Sequence, residues 1–158
     1  MEPEIHMLPQ REALCVTRTG MSNGSFSGVA HEAFTALTGY IAANGLWDSM
    51  AECIGICPDN PAITPAEECR YQAGFILRGD VPTGEEVELV TIEAGRWAVF
   101  IHEGSYDTLS GTWSSIYRNW LPTSGMALRD VPPYEVYFNT VATSTSEDFR
   151  TAIHIPVA

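Results

Sequence analysis

A chain of 158 residues, with 45% hydrophobic and 18% charged positions, carries enough apolar side chain for one buried core, which excludes a disordered chain. Twenty acidic residues against eight basic ones leave a net charge of −12, a field that repels phosphate backbones and argues against direct nucleic-acid contact. All eight basic residues are arginine, which excludes Schiff-base chemistry on lysine and a P-loop lysine.

In chain order, Glu4–Leu8 and Ala13–Thr19 alternate as strands do. The opening MEPEIHMLPQREALC has early acids and no apolar signal core, and no apolar run approaches the ~20 residues that span a bilayer, so the expectation is a cytoplasmic chain without membrane contact. A helix is predicted from about Ser27 to Ala43, with Ala30, Phe34, Leu37 and Ile41 on one stripe and Asn44-Gly45 as a left-handed C-terminal cap. Strands near Cys53–Cys57 and Tyr71–Leu77 follow, separated by Thr64-Pro65-Ala66-Glu67, a capping-box pattern. Thr83-Gly84-Glu85-Glu86 reads as a connector. Val87–Ile92 and Arg96–His102 are the next strands. Ser105 is placed to cap a second helix with the stripe Leu109, Trp113, Ile116, Tyr117 and Trp120, which Pro122 is expected to stop. Strands Tyr134–Asn139 and Thr151–Ile155 close the chain.

The second half repeats the first at an offset of about 80 residues. Thr64–Arg70 lines up with Ser144–Arg150, both opening on a capping box. Asn44-Gly45-Leu46 lines up with Ser124-Gly125-Met126, and Ile54-Gly55-Ile56 with Tyr134-Glu135-Val136. At a slightly larger offset, Ala13–Gly20 matches Trp97–Gly104. The predicted fold is therefore α+β. Two strand–helix–strand–strand units, approximately 1–82 and 83–158, build a single domain over 1–158. They form one antiparallel sheet with both helices on one face and a ligand cleft between the halves.

Alternation along strands gives Glu135 its interest. Ile54, Ile56, Tyr134 and Val136 share one face, expected to be the helix-covered one; Gly55, Cys57, Glu135 and Tyr137 share the other. A small residue in one half then opposes a carboxylate and a phenol in the other. A carboxylate among large apolar groups loses hydration unless a cation or donor satisfies it, so Glu135 suits a cationic ligand; a rim-exposed or arginine-paired glutamate is the alternative. Tyr71, Trp97, Tyr106, Trp113, Tyr117 and Tyr137 are the rings that could add cation–π attraction, although Trp113 and Trp120 also suit a plain helix–sheet core.

Cys15, Cys53, Cys57 and Cys69 form no paired CxxC, and four strand residues span ~13 Å, too far for a Cys53–Cys57 disulfide; free thiols are expected. His6, His31, His102 and His154 show no ligand spacing, and no nucleophile elbow, dinucleotide loop or calcium loop occurs. Neither metal nor cofactor is expected.

Several of these segments occur together in a known family. The run Asp59-Asn60-Pro61 with Thr64-Pro65-x-Glu67-x-Cys69-Arg70-Tyr71, the run Gly95-x-Trp97-Ala98-Val99 with Glu103-Gly104-Ser105-Tyr106, Trp113 through Trp120-Leu121 with Ser124-Gly125, and Tyr134-Glu135-Val136-Tyr137 with Ile153-His154-Ile155-Pro156 resemble, over essentially the whole chain, the GyrI-like small-molecule-binding domain, the effector-binding domain of AraC- and MerR-type multidrug regulators. The resemblance implies a duplicated strand–helix–strand–strand fold and a pocket for lipophilic, often cationic, compounds. It puts the family's buried glutamate at Glu135 and its aromatic walls most securely at Trp97, Tyr106 and Tyr137. Gln72 and Ala152 stand where relatives often carry acids, so a second negative site in the pocket is not expected. The chain has no helix-turn-helix of its own, which leaves room for a separate regulatory partner.

The function expected first is non-enzymatic binding of a lipophilic cation, for sequestration or effector sensing. The alternatives are hydrolysis of strained cyclopropane-bearing electrophiles, with Glu135 as general base and Tyr137 or Tyr71 as proton donor, and a protein-interaction role such as gyrase inhibition.

Overall fold

In the computed structural model, which describes residues 1–138 and 148–158, eight strands form one antiparallel sheet. They are β1 (Glu4–Leu8), β2 (Arg11–Thr19), β3 (Met50–Ile56), β4 (Arg70–Leu77), β5 (Glu88–Ile92), β6 (Gly95–Glu103), β7 (Tyr134–Tyr137) and β8 (Arg150–Val157). Their order is β1-β6-β8-β7-β3-β4-β2-β5. This order is symmetric about the β3–β7 pair: β3-β4-β2 runs one way and β7-β8-β6 the other. The outermost strands are exchanged, since β1 hydrogen-bonds β6 and β5 hydrogen-bonds β2. At the junction Gly55 pairs with Glu135, the two positions that the duplication equates.

Helix α1 (Ser27–Ala43) links β2 to β3 and buries Ala33, Leu37 and Ile41 against Leu14, Val16 and Ala73. It ends in a Schellman turn: Gly45 takes φ 64°, Leu46 N–H donates to Ile41 and Gly45 N–H to Ala42. Between β6 and β7 the chain forms α2 (Leu109–Ser115), a π-helical turn (Ile116–Trp120) and α3 (Leu121–Ser124) without a break. Pro122 therefore does not stop this helix. The hydrogen-bond pattern widens to π just before the proline, whose missing N–H then falls in the last turn, and Gly125 at φ 73° ends it. The pattern at Thr64–Glu67 gives only a 3₁₀ turn, Ala66–Glu68, with no side-chain cap; its counterpart at 144–147 lies outside the described residues. No helix among the described residues is long and apolar enough to cross a membrane.

Both helices lie on one face, as predicted, but the residues facing them are the opposite set. The row Ala73–Gly55–Glu135–Ile153–Phe100 runs across five strands beneath the helices. Ile54, Ile56, Tyr134 and Val136 instead enter a helix-free core with Ala13, Cys15, Ile92, Trp97 and Val99. Strands from both ends of the sheet meet in that core, so the sheet curls and buries both of its faces. Alternation assigns residues to a common face; it cannot say which of two buried faces carries the helices.

Candidate functional site

Glu135 sits at the centre of the sheet in the gap between α1 and α2, 6% exposed. Trp113, on α2, donates its indole N–H to Glu135 Oε2 at 2.6 Å. Tyr137, two residues along β7 on the same face, donates its hydroxyl to Oε1 at 2.6 Å. Tyr71, from β4 of the other half, stands 2.6 Å from the Tyr137 hydroxyl; with Tyr137's proton directed at Glu135, Tyr71 donates in turn. Gly55 makes this convergence possible, because a Cβ there would overlap the hydroxyls of both Tyr71 and Tyr137. The duplication places Gly55 opposite Glu135, but its reason, room for two phenols, needs the register.

The cluster is strongly desolvated. Burial raises the Glu135 carboxyl above its ordinary range, and the hydrogen bonds from Tyr137 and Trp113 oppose that shift without cancelling it. Burial, with the Glu135 charge added, pushes the Tyr71 and Tyr137 phenols well above their usual range. Cys57, one residue past β3, is raised by burial and then by Glu135. Among the described residues no arginine or histidine pairs with Glu135 as an ion pair. In the structure the carboxylate is therefore neither on the rim nor paired with an arginine of the described residues.

Rings enclose the carboxylate. Phe34 on α1 packs edge-on against Tyr137 at 6.1 Å and Tyr71 at 6.3 Å, and Phe26 lies 5.4 Å from Tyr71. Tyr106, from the 3₁₀ turn Tyr106–Thr108 before α2, packs against Tyr137 at 5.7 Å and Phe149 at 4.9 Å. Tyr117 stacks on Trp113 at 6.1 Å and 12°, and burial pushes its phenol up to about 12. Tyr106 and Tyr117 are each 37% exposed and form the outer wall. Phe34 reads as core in the sequence because its helical phase points it at the sheet, which here is also where the carboxylate lies; Phe26 precedes α1 and carries no such signal.

Trp97 is not brought to Glu135. It pairs with Pro156 on β8 and projects into the opposite core, against Tyr134 at 5.0 Å, with the Arg129 guanidinium 5.0 Å from its ring. A cavity of about 30 Å³ beside Trp97 and Tyr134 lies on that face too, separate from the Glu135 cluster. Glu135, Tyr137, Tyr71, Trp113, Tyr106 and Tyr117 do converge.

Two polar residues that the sequence did not single out flank the site on β6 and β8. His102 is buried with both ring nitrogens engaged: Nδ1 with Thr112 Oγ1 at 2.7 Å, Nε2 with the Ser105 carbonyl at 3.1 Å and Thr108 Oγ1 at 3.2 Å. Thr151 pairs with His102 on one side and Tyr137 on the other, is fully buried, and its hydroxyl has no hydrogen-bond partner among the described residues. The duplication could have marked Thr151, since it occupies the place of Tyr71.

Comparison with known proteins agrees with this architecture. The chain is 30% identical over 111 residues to a probable transcriptional regulator, YgiV, of Escherichia coli K12, covering 70% of this chain and 69% of that one. The EcmrR C-terminal domain superposes with a TM-score of 0.83 at 16% identity, covering 99% of this chain and 97% of that one; in its DNA complex, the matched EcmrR chain is longer and this chain spans 57% of it. The SAV2435 structure with bound tetraphenylphosphonium superposes with a TM-score of 0.71 at 15% identity, covering 100% and 94%. The model of the GyrI-like small molecule binding domain matches residues 1–158, and the chain belongs to that family.

Proposed function

We propose that the chain binds lipophilic organic cations between its halves, with the Glu135 carboxylate as counter-charge and Tyr71, Tyr106, Trp113, Tyr117 and Tyr137 as walls. The observation that carries this reading is a buried carboxylate that receives two neutral donors and no cation from the described residues. A permanent cation arriving there gains an ion pair in a low-dielectric setting, together with ring contacts worth about 0.5–2 kcal/mol each. The aromatic enclosure discriminates by shape and charge, which suits capture or sensing of a compound class. Binding of tetraphenylphosphonium by SAV2435 is in keeping with such a site. Likeness to regulator proteins supports an effector-sensing or sequestering role, in which another protein would read the bound state.

Tryptophan fluorescence titration with rhodamine 6G tests this directly. Trp113 contacts the proposed anion, so saturable quenching is expected for the wild type. Glu135→Gln keeps the shape and removes the charge, and is expected to weaken binding by about tenfold or more. Equal binding by the two proteins sinks the role of Glu135.

The hydrogen-bonded series Tyr71–Tyr137–Glu135 supports a second reading. A desolvated glutamate beside a phenol resembles a general base with a proton donor. Water would lose its proton to Glu135 as it attacks a strained ring carbon, while a phenol protonates the carbon released by bond cleavage. Turnover of such an electrophile, abolished in Glu135→Gln, would put this reading ahead of simple binding.

A further inference from the structure

The site is asymmetric in a way that the cation reading leaves unused. Register relates Tyr71 and Thr151 by the approximate twofold between the halves: Tyr71 stands opposite Cys57 one position beyond the β3–β4 ladder, and Thr151 opposite Tyr137 in the β7–β8 ladder. On one side a phenol fills the position and its hydroxyl reaches Tyr137. On the other side a threonine fills it, and its hydroxyl has no hydrogen-bond partner among the described residues. Its neighbours cannot help. The Tyr137 hydroxyl is committed to Glu135 and Tyr71, and both nitrogens of His102 are taken by Thr112, Ser105 and Thr108. A fully buried hydroxyl without a partner is rare in native proteins and calls for an explanation.

We propose that Thr151 is a specificity-determining residue of the ligand site: its hydroxyl receives an N–H or O–H donor carried by the bound cation. The residue shares the helix-bearing face with Glu135 and stands diagonal to it across the β7–β8 ladder, a separation of about 7 Å. The preferred ligand therefore bears an amino or hydroxyl group displaced from its cationic centre, on the side walled by Tyr106 and Phe149. Cations without hydrogen-bonding groups still bind through Glu135 but gain nothing from Thr151. The inference rests on the cation-binding reading and adds a second, directional contact to it.

The test uses two triarylmethyl cations of one scaffold. Pararosaniline carries primary amines; crystal violet carries the same nitrogens fully methylated, with no N–H. Both are titrated against the wild type and Thr151→Val, which keeps the side-chain shape. Thr151→Val is expected to lose about tenfold for pararosaniline and less than about twofold for crystal violet, with an unchanged or higher melting temperature because an unpaired hydroxyl is removed. Equal losses for the two dyes, or no loss for pararosaniline, overturn the role of Thr151 and leave the cation site standing. Failure of the wild type to bind either dye overturns the cation reading and this inference with it.

Discussion

At Glu135, protonation and the proposed cation compete for the same carboxylate. Burial raises its carboxyl above the ordinary 4.5, so the folded protein holds that proton more tightly than the unfolded chain does. The stability this contributes is full below the unfolded value and is lost as pH rises through the folded one. The proposed cation binding has the opposite dependence, because it needs the carboxylate. Affinity for a permanently charged dye is expected to rise with pH through the raised carboxyl range and to lose that dependence in Glu135→Gln, while the same variant gains stability at neutral pH. Calorimetric titration at several pH values and urea unfolding check the two halves of this prediction. His154 behaves differently. Burial lowers it to about 4, and it stacks on Tyr134 at 4.4 Å in the helix-free core. Because the depressed value belongs to the folded state, its contribution is present above the unfolded value near 6.5 and is lost as pH falls toward about 4. The shift corresponds to about 3 kcal/mol, and His154→Phe is expected to flatten the acid limb of a denaturation series over that interval. The reason for this shift was not legible in the sequence, where His154 is only a polar residue in an apolar strand. Glu135 was legible, because large apolar neighbours on the strand announce a desolvated acid.

At the scale of elements, α2 acts through Trp113. The helix delivers an indole N–H to the carboxylate and a ring face to Tyr117, and the π-helical turn Ile116–Trp120 begins three residues later. Trp113→Phe keeps an aromatic wall and removes one of the two donors. It is expected to raise the Glu135 carboxyl further, which moves the pH midpoint of dye binding upward and leaves the core residues Phe100 on β6 and Ile116 in the π-helical turn in place. A titration series across pH distinguishes that shift from a simple loss of affinity. Strand β3 contributes by what it lacks. Gly55→Ala puts a methyl group against two phenol oxygens, one held by Glu135 and the other by Tyr137, and a destabilisation of about 1–3 kcal/mol in urea unfolding is expected. Tyr71→Phe removes one of the clashing hydroxyls and is expected to return part of that loss. The elements themselves were readable from periodicity, capping glycines and duplication. The face assignment was not, because a curled sheet buries both sides and leaves no polar face to break the tie. Trp97 failed for the same reason: its strand was read correctly, yet strand pairing carries it to the side away from Glu135.

The whole molecule adds a long-range field to the local site. The net charge of −12 is spread over a chain with a pI near 4.5, while the proposed binding charge is a single buried carboxylate. These two contributions respond differently to salt. Between about 0.01 and 1 M the Debye length falls from about 30 to about 3 Å, which screens the surface field and leaves a desolvated contact largely intact. A cationic dye is therefore expected to associate more slowly as salt rises, while its dissociation rate changes little. Glu135→Gln should show the reverse pattern: nearly wild-type association, since one charge among many is removed, and faster dissociation, since the buried contact is gone. Stopped-flow fluorescence on both proteins over a salt series separates the two rates. If salt instead accelerates dissociation in the wild type, the dye is held by the exposed acidic surface, and the aromatic enclosure at the twofold junction is not where the cation rests.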